Sequence, residues 1–114
     1  MDIIIGPGVL RHDYYDVAPS ARYVTLTGEA DLANADQLER ELNFLLAPAW
    51  VTSLILDLTA LQFFDCAALA ALLAVRKAAL TRGQQVSITA AASTPARVLA
   101  ITAVGRLFSY PPRS

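Results

Sequence analysis

The chain has 114 residues, of which 55% are hydrophobic and 17% charged, and its formal net charge at pH 7 is -1. This composition excludes an intrinsically disordered chain, which is poor in apolar residues and rich in charge, and the length suits one domain with one core. A single cysteine excludes an intrachain disulfide, and one histidine with one cysteine excludes a structural zinc site.

No segment is typical of nucleic-acid binding, export or a membrane span. Lys and Arg form no basic stripe, and Asp2 is an acid where a signal peptide carries positive charge. The longest apolar run without charge, 66–75, has about half of the length that a transmembrane helix needs. We therefore expect a cytoplasmic protein that has no nucleic-acid partner and no membrane span.

Two strands are predicted on either side of a turn at 18–21. Residues 10–17 and 22–27 are assigned to them from the polar and apolar alternation of a strand, clearest in the second, which Gly28 is expected to end. The short connection favours an antiparallel hairpin. His12 has no nucleophile motif near it, so we expect a solvated strand histidine and not a catalytic base.

A helix and a buried strand are predicted next. Asn34 and Gln37 have the spacing of a capping box, leucines then recur at helical spacing, and Pro48 is expected to stop the helix. The run 54–58 is nearly continuously apolar, which is typical of a strand covered on both faces. Its acid, Asp57, is expected to be a structural hydrogen-bond acceptor at the strand end.

A second helix and a further strand follow. Asp65 is placed to cap a helix over 66–82, and Gly83 suits the left-handed residue that ends many helices. Residues 85–89 alternate again and predict a strand. This order of helices between strands indicates parallel pairing in the second half of the sheet.

The last predicted helix begins with Thr94 as its cap and Pro95 in its first position, and it ends at Gly105. Residues 107–110 are a candidate for a short last strand. Because the opening pair is antiparallel and the later strands are joined through helices, the sheet is expected to be mixed. The sequence predicts one α/β domain with about four or five strands and three or four helices.

The helix predicted over 66–82 has an uncharged face of small residues. Its leucines form a core stripe, but Cys66, Ala67, Ala70 and Ala71 leave the first turns without charge. A small domain has little material with which to cover a helix on all sides, so this face is a candidate docking patch. Tight packing of the small residues against the sheet is the alternative.

Three short motifs lie where predicted strands end or a helix begins. They read Gly-Glu-Ala-Asp at 28–31, Leu-Asp-Leu-Thr at 56–59 and Phe-Phe-Asp-Cys-Ala-Ala-Leu at 63–69. In order and spacing they resemble the motifs of the STAS domain, typified by bacterial anti-sigma factor antagonists. The resemblance covers about residues 8–110 and implies a single STAS domain over 1–114.

The resemblance implies a non-enzymatic regulator without a cofactor, which binds an anti-sigma factor of the GHKL kinase type and so frees a sigma factor. In the family a phosphorylated serine directly follows the motif aspartate, a position that Cys66 holds here. A thiol is not a substrate for a Ser/Thr kinase, so phosphorylation at position 66 is not expected to switch binding. The partner surface is expected to comprise Glu29, Asp31, Asp65, Cys66, Ala67, Ala70 and Ala71.

Other uses of the same fold stay open. The alanine-rich helix also suits a subunit of a stressosome-like or lipid-transport ATPase complex, or a two-fold homodimer. A small-ligand sensor would use the sheet end near Asp57, Thr59 and Asp65. The thiol of Cys66 is either redox-active or a small apolar cap, and Thr59 is an alternative phosphoacceptor.

Overall fold

The computed structural model describes residues 3–5 and 10–112; the start of the expected domain core, at residues 8 and 9, lies outside the described residues. Within the described residues the elements are β1 (Ile3–Ile5), β2 (Leu10–Ala18), β3 (Ala21–Ala30), α1 (Ala35–Leu46), β4 (Ser53–Phe64), α2 (Cys66–Thr81), β5 (Gln85–Ala91), α3 (Ser93–Thr102) and a short 3-10 helix (Gly105–Phe108).

The described strands form one mixed sheet in the order β1-β2-β3-β4-β5. The pairs β1 with β2 and β2 with β3 are antiparallel, whereas β3 with β4 and β4 with β5 are parallel. Helices α1 and α2 connect the parallel strands, as their pairing requires. The predicted α/β class with a mixed sheet is confirmed, and β1 is an additional edge strand that no sequence pattern predicted.

The core lies between one face of the sheet and the helices α1 and α2. On β4 the alternating residues Leu54, Leu56 and Leu58 are fully buried, whereas Ile55 and Asp57 between them are partly exposed. Successive side chains of a strand point to opposite faces, so Ile55 and Asp57 lie on the face away from α1 and α2. The leucine stripe of α1 completes the core at Leu38, Leu42, Leu45 and Leu46.

Gly28 lies opposite a bulge in β4 and does not end β3, which corrects the prediction. Its φ is 105°, a conformation that glycine adopts without steric cost, and the register shifts between Gly28 and Glu29 because the opposite strand β4 has an extra residue, Gln62. Beyond this shift pairing resumes up to Ala30 and Phe64. As a result, β4 extends well past the predicted 54–58.

The prediction that His12 is solvated is wrong. Its side chain is only 2% exposed, because the antiparallel register places it opposite the buried Leu26, on the same face of the sheet as Leu10. Sequence alternation identified the strand but did not show which of its two faces is covered.

The end of the chain differs from the prediction in three places. Helix α3 has Ala92 as its N-cap, so Thr94 and Pro95 lie inside the first turn. It ends before Ala103, and Gly105 begins the 3-10 helix that replaces the candidate strand over 107–110. A Cβ at Gly105 would lie 3.0 Å from the carbonyl oxygen of Tyr110, so this glycine permits a close backbone approach.

We expect Leu42→Ala to lower the free energy of unfolding by about 2 to 5 kcal/mol, because it leaves a cavity in the core. Phe44→Ala, on the same helix, is the matched control and should change it by less than about 0.5 kcal/mol. Leu42 is fully buried and Phe44 is 70% exposed. Urea denaturation followed by circular dichroism measures both, and equal losses would contradict the assigned core face of α1.

Candidate functional site

The first and third sequence motifs meet at one edge of the sheet, where the parallel strands β3 and β4 end. Ala30 and Phe64, the last residues of these strands, are paired, and the backbone N–H of Asp65 donates to the carbonyl oxygen of Ala30 at 3.3 Å. The loop after β3 therefore lies beside the start of α2. We call this region, residues 29–34 and 63–70, the loop-helix edge.

Asp65 joins the two segments of the loop-helix edge through both of its carboxylate oxygens. Oδ1 accepts a hydrogen bond from the backbone N–H of Ala68 at 2.9 Å, and Oδ2 accepts one from the backbone N–H of Leu32 at 3.2 Å. The first bond caps α2, as predicted, at the end where the helix dipole favours a negative charge. One side chain thus holds the loop against the helix.

Asn34 braces the loop and does not cap α1 through its side chain. Oδ1 accepts from the backbone N–H of Asp31 at 3.0 Å, and Nδ2 donates to the carbonyl oxygen of Glu29 at 2.9 Å. No side-chain bond reaches the first turn of α1, so the capping-box interpretation with Gln37 is wrong. The loop backbone supplies the hydrogen-bond partners of the Asn34 side-chain amide, so this polar group can be buried at little cost.

The ordered loop presents apolar side chains that sequence reasoning missed. Leu32 is 79% exposed and Phe63 is 45% exposed. The one sequence signal for Leu32 is its place between the turn residues Asp31 and Asn34, where an apolar side chain belongs to no periodic core stripe. Phe63 begins the third motif, but its exposure was not predicted, because it lies within a segment that was not predicted to be a strand.

Six of the seven residues expected to form the partner surface are at least partly exposed: Glu29, Asp31, Asp65, Cys66, Ala67 and Ala70. Ala71 is the exception, since it is 5% exposed and belongs to the core. It shares the buried face of α2 with Ala68 and Val75, at helical spacing. The inclusion of Ala71 in the partner surface is therefore corrected, and tight packing holds for this residue.

The second motif forms a separate hydrogen-bond network. The phenol of Tyr23 donates to Oδ2 of Asp57 at 2.7 Å, and Oδ1 of Asp57 accepts from both the backbone N–H and the hydroxyl of Thr59, at 2.9 and 2.6 Å. Both carboxylate oxygens are engaged within the protein. The second half of β4 separates Asp57 from Asp65, so the structure does not bring together the three residues considered for a ligand sensor.

This network changes the acidity of its members. Burial favours the neutral form of Asp57, but the hydrogen bonds from Thr59 and Tyr23 outweigh burial and lower the pKa of the carboxyl group. The bond to Asp57, together with burial and the negative charge of Asp57, raises the pKa of Tyr23 to about 12. The ionised carboxylate and the neutral phenol are therefore the stable pair.

Among the described residues, no group of three or more His, Cys, Asp or Glu side chains is arranged to hold a metal ion. None of the described helices has the length and apolar character needed to cross a membrane.

Comparison with known proteins gives a family and a fold. The family model described as "STAS domain" matches residues 15–113. An anti-sigma factor antagonist from Mycobacterium paratuberculosis superposes with a TM-score of 0.78 at 22% identity, covering 95% of this chain and 91% of that one. Among curated proteins no match is found.

Two further solved structures are similar. The anti-sigma factor antagonist SpoIIAA in its unphosphorylated form has a TM-score of 0.72 at 17% identity and covers 84% of each chain. The Bacillus cell fate determinant SpoIIAA in its phosphorylated form has a TM-score of 0.62 at 18% identity, with 84% of this chain and 86% of that one covered. At these identities the likeness is one of fold.

We expect Asp57→Asn to make stability less dependent on acid pH. The pKa of Asp57 is lower in the folded chain than in the unfolded chain, so its charge stabilises the fold above the unfolded pKa of about 4. This contribution is lost as the pH falls through the lower folded pKa. Melting temperatures recorded from about pH 7 to about pH 3 should fall less steeply for the variant than for the native protein. Equal decreases in the two proteins would show that the hydrogen bonds of Asp57 do not stabilise its ionised form.

We expect Asp65→Ala to lower the free energy of unfolding by about 1 to 2 kcal/mol, since it removes a helix cap. Amide hydrogen exchange at Leu32 and Ala68 should become faster together, because one carboxylate accepts from both N–H groups. Asp36→Ala, an exposed acid in the first turn of α1, is the control. Faster exchange at Ala68 alone would show that Asp65 does not hold the loop.

Proposed function

Because the chain belongs to the STAS domain family, we propose that it is an anti-sigma factor antagonist. It binds an anti-sigma factor of the GHKL kinase type in the cytoplasm, frees a sigma factor and catalyses no reaction. The observation that carries the proposal is the loop-helix edge, an ordered surface on which exposed apolar side chains lie among acids. The fold shared with two structures described as anti-sigma factor antagonists supports it.

The composition of the loop-helix edge suits a protein partner. Leu32 and Phe63 are the large exposed apolar side chains, and Cys66 and Ala70 add small exposed ones on α2. Protein interfaces typically have an apolar centre inside a polar rim, and large apolar side chains that enter a partner pocket carry much of the affinity. Leu32 is placed to be such an anchor.

The loop is already held in one conformation, which favours binding. Asp65 and Asn34 together fix both ends of the segment that carries Leu32. Association then costs little ordering entropy for this loop, because its backbone hydrogen bonds exist before the partner arrives. The partner need only supply a pocket for the apolar side chains.

The exposed acids define the charge that the partner should carry. Glu29 and Asp31 border the apolar side chains, and neither forms an ion pair within the described residues. Complementary charges across an interface speed association and suppress wrong partners. The partner surface is therefore an apolar pocket with basic residues at its rim.

Phosphorylation at position 66 does not control this binding in the proposed function. Cys66 is the exposed first residue of α2, and the motif resemblance implies that its thiol replaces the hydroxyl that is phosphorylated in the family. Thr59 is a poor substitute, because its hydroxyl is held by Asp57 at 2.6 Å and a phosphate there would face a carboxylate. The protein is thus competent to bind without dephosphorylation.

We expect Ala70→Glu and Cys66→Asp each to weaken partner binding at least about tenfold, because each places a charge on the apolar part of the interface. Ala100→Glu, on an exposed position of α3, is the matched control and should bind as the native protein does. Baits of all four proteins are used to capture partners from extracts of the source cell, and mass spectrometry identifies them. Calorimetry with the purified partner then gives the dissociation constants.

Recovery of an anti-sigma kinase by the native and Ala100→Glu baits alone supports the proposal. Recovery of stressosome or transporter subunits, or of the chain itself, replaces it with the corresponding assembly. Equal recovery of a kinase by all four baits would mean that the loop-helix edge is not the binding surface.

A further inference from the structure

A groove of about 730 Å³ lies beside β5, far from the loop-helix edge along β4. It lies between the sheet and the chain that follows the 3-10 helix. We call it the Arg106 groove and define it by its principal lining residues: Ile55, Ser87, Thr89, Arg106, Ser109 and Tyr110.

The floor of the Arg106 groove belongs to the sheet face away from α1 and α2. Ile55 and Ser87 are register partners on the neighbouring strands β4 and β5. The residues on either side of Ile55, Leu54 and Leu56, are fully buried in the core. Because strand side chains alternate between faces, Ile55 and Ser87 point away from that core and into the groove.

The wall of the groove is held by backbone hydrogen bonds that fix the position of Arg106. The carbonyl oxygen of Arg106 accepts from the N–H of Ser109 at 3.0 Å, and that of Gly105 accepts from the N–H of Tyr110 at 3.0 Å. The guanidinium of Arg76 donates to the carbonyl oxygen of Leu107 at 2.8 Å and ties the 3-10 helix to α2. These hydrogen bonds therefore hold the backbone of the wall in one conformation.

The polar groups of the groove are not used by the protein itself. Within the described residues, the guanidinium of Arg106 forms no hydrogen bond or ion pair, and the hydroxyls of Ser87, Thr89, Ser109 and Tyr110 form no hydrogen bond. None of the described residues that line the groove carries a carboxylate. A guanidinium offers a fork of N–H donors that matches a carboxylate, and the hydroxyls add further donors.

The remaining lining is apolar and suits the body of an organic ligand. Ile55, the ring of Tyr110 and the side chains of Pro111 and Pro112 contribute to it. Small-molecule sites are typically of this kind, with apolar walls and a few placed polar groups, in volumes of about 300 to 1,000 Å³. Among the described lining residues Arg106 is the one cation, and together with the apolar side chains it favours a ligand that has one anionic group and an apolar body.

We propose that the Arg106 groove binds a small organic carboxylate. Its carboxylate pairs with the guanidinium of Arg106 and accepts hydrogen bonds from the hydroxyls, and its apolar body lies on Ile55 and Tyr110. The site does not depend on the proposed partner surface, because Ile55 lies near the start of β4 whereas Asp65 follows its end. Ligand binding and partner binding are therefore tested separately.

The test is an amide NMR titration of the full chain with 1-naphthoate, compared with the neutral 1-naphthalenemethanol. We expect saturable shifts confined to residues around 55, 87–89 and 105–112. Arg106→Gln should weaken naphthoate binding at least about tenfold, since a carboxylate pairs more strongly with a guanidinium than with an amide. Arg97→Gln, an exposed position on α3, should leave the affinity unchanged.

The neutral alcohol should bind weakly and equally to the native protein and to Arg106→Gln. Ser87→Phe, which fills the groove from β5, should abolish naphthoate binding while the amide spectrum stays that of the folded chain. Shifts that rise linearly with concentration, shifts centred on the loop-helix edge, or equal affinity of the native protein and Arg106→Gln would each overturn the proposal.

Discussion

The loop-helix edge depends on the two hydrogen bonds that one carboxylate, that of Asp65, accepts. One bond satisfies a free amide at the start of α2, and the other holds the N–H of Leu32 in the loop after β3. The first N–H groups of a helix have no acceptor within the helix, so the first bond is local in origin. The second is a tertiary contact, and through it the capping residue also orients the loop that carries the most exposed leucine of the surface.

A bulge in β4, opposite Gly28, precedes the place where these two segments meet. The register shifts after Gly28, where β4 has the extra residue Gln62, and pairing then continues to Ala30 and Phe64. A bulge adds a residue to one strand and changes the direction of the chain that follows. The last strand pair beyond the bulge therefore determines where the loop starts, and Asp65 determines how the loop is held.

The periodic helices and strands were predictable because the spacing of apolar residues in the sequence indicates which face of each element is buried. The stripe of α1 and the cap at Asp65 are examples, since both follow from spacing within a few residues. The environments of three residues were missed because they depend on distant parts of the chain. Strand register buries His12, a carboxylate on another element holds the loop of Leu32, and the rotation of α2 against the core buries Ala71. The role of a glycine could not be predicted for a different reason. Gly28 beside a bulge and Gly105 at a close backbone contact look the same in the sequence as a glycine in a turn.

Under the proposed function, the thiol at the first position of α2 has a consequence for control. If position 66 gains no charge, binding of the partner is governed by mass action alone. The fraction of partner that stays free then depends on the amounts of the two proteins and on their dissociation constant. Synthesis and degradation would then set the response, and it would change on the time scale of protein turnover. Without a covalent switch at this position, the chain would act as a stoichiometric titrant.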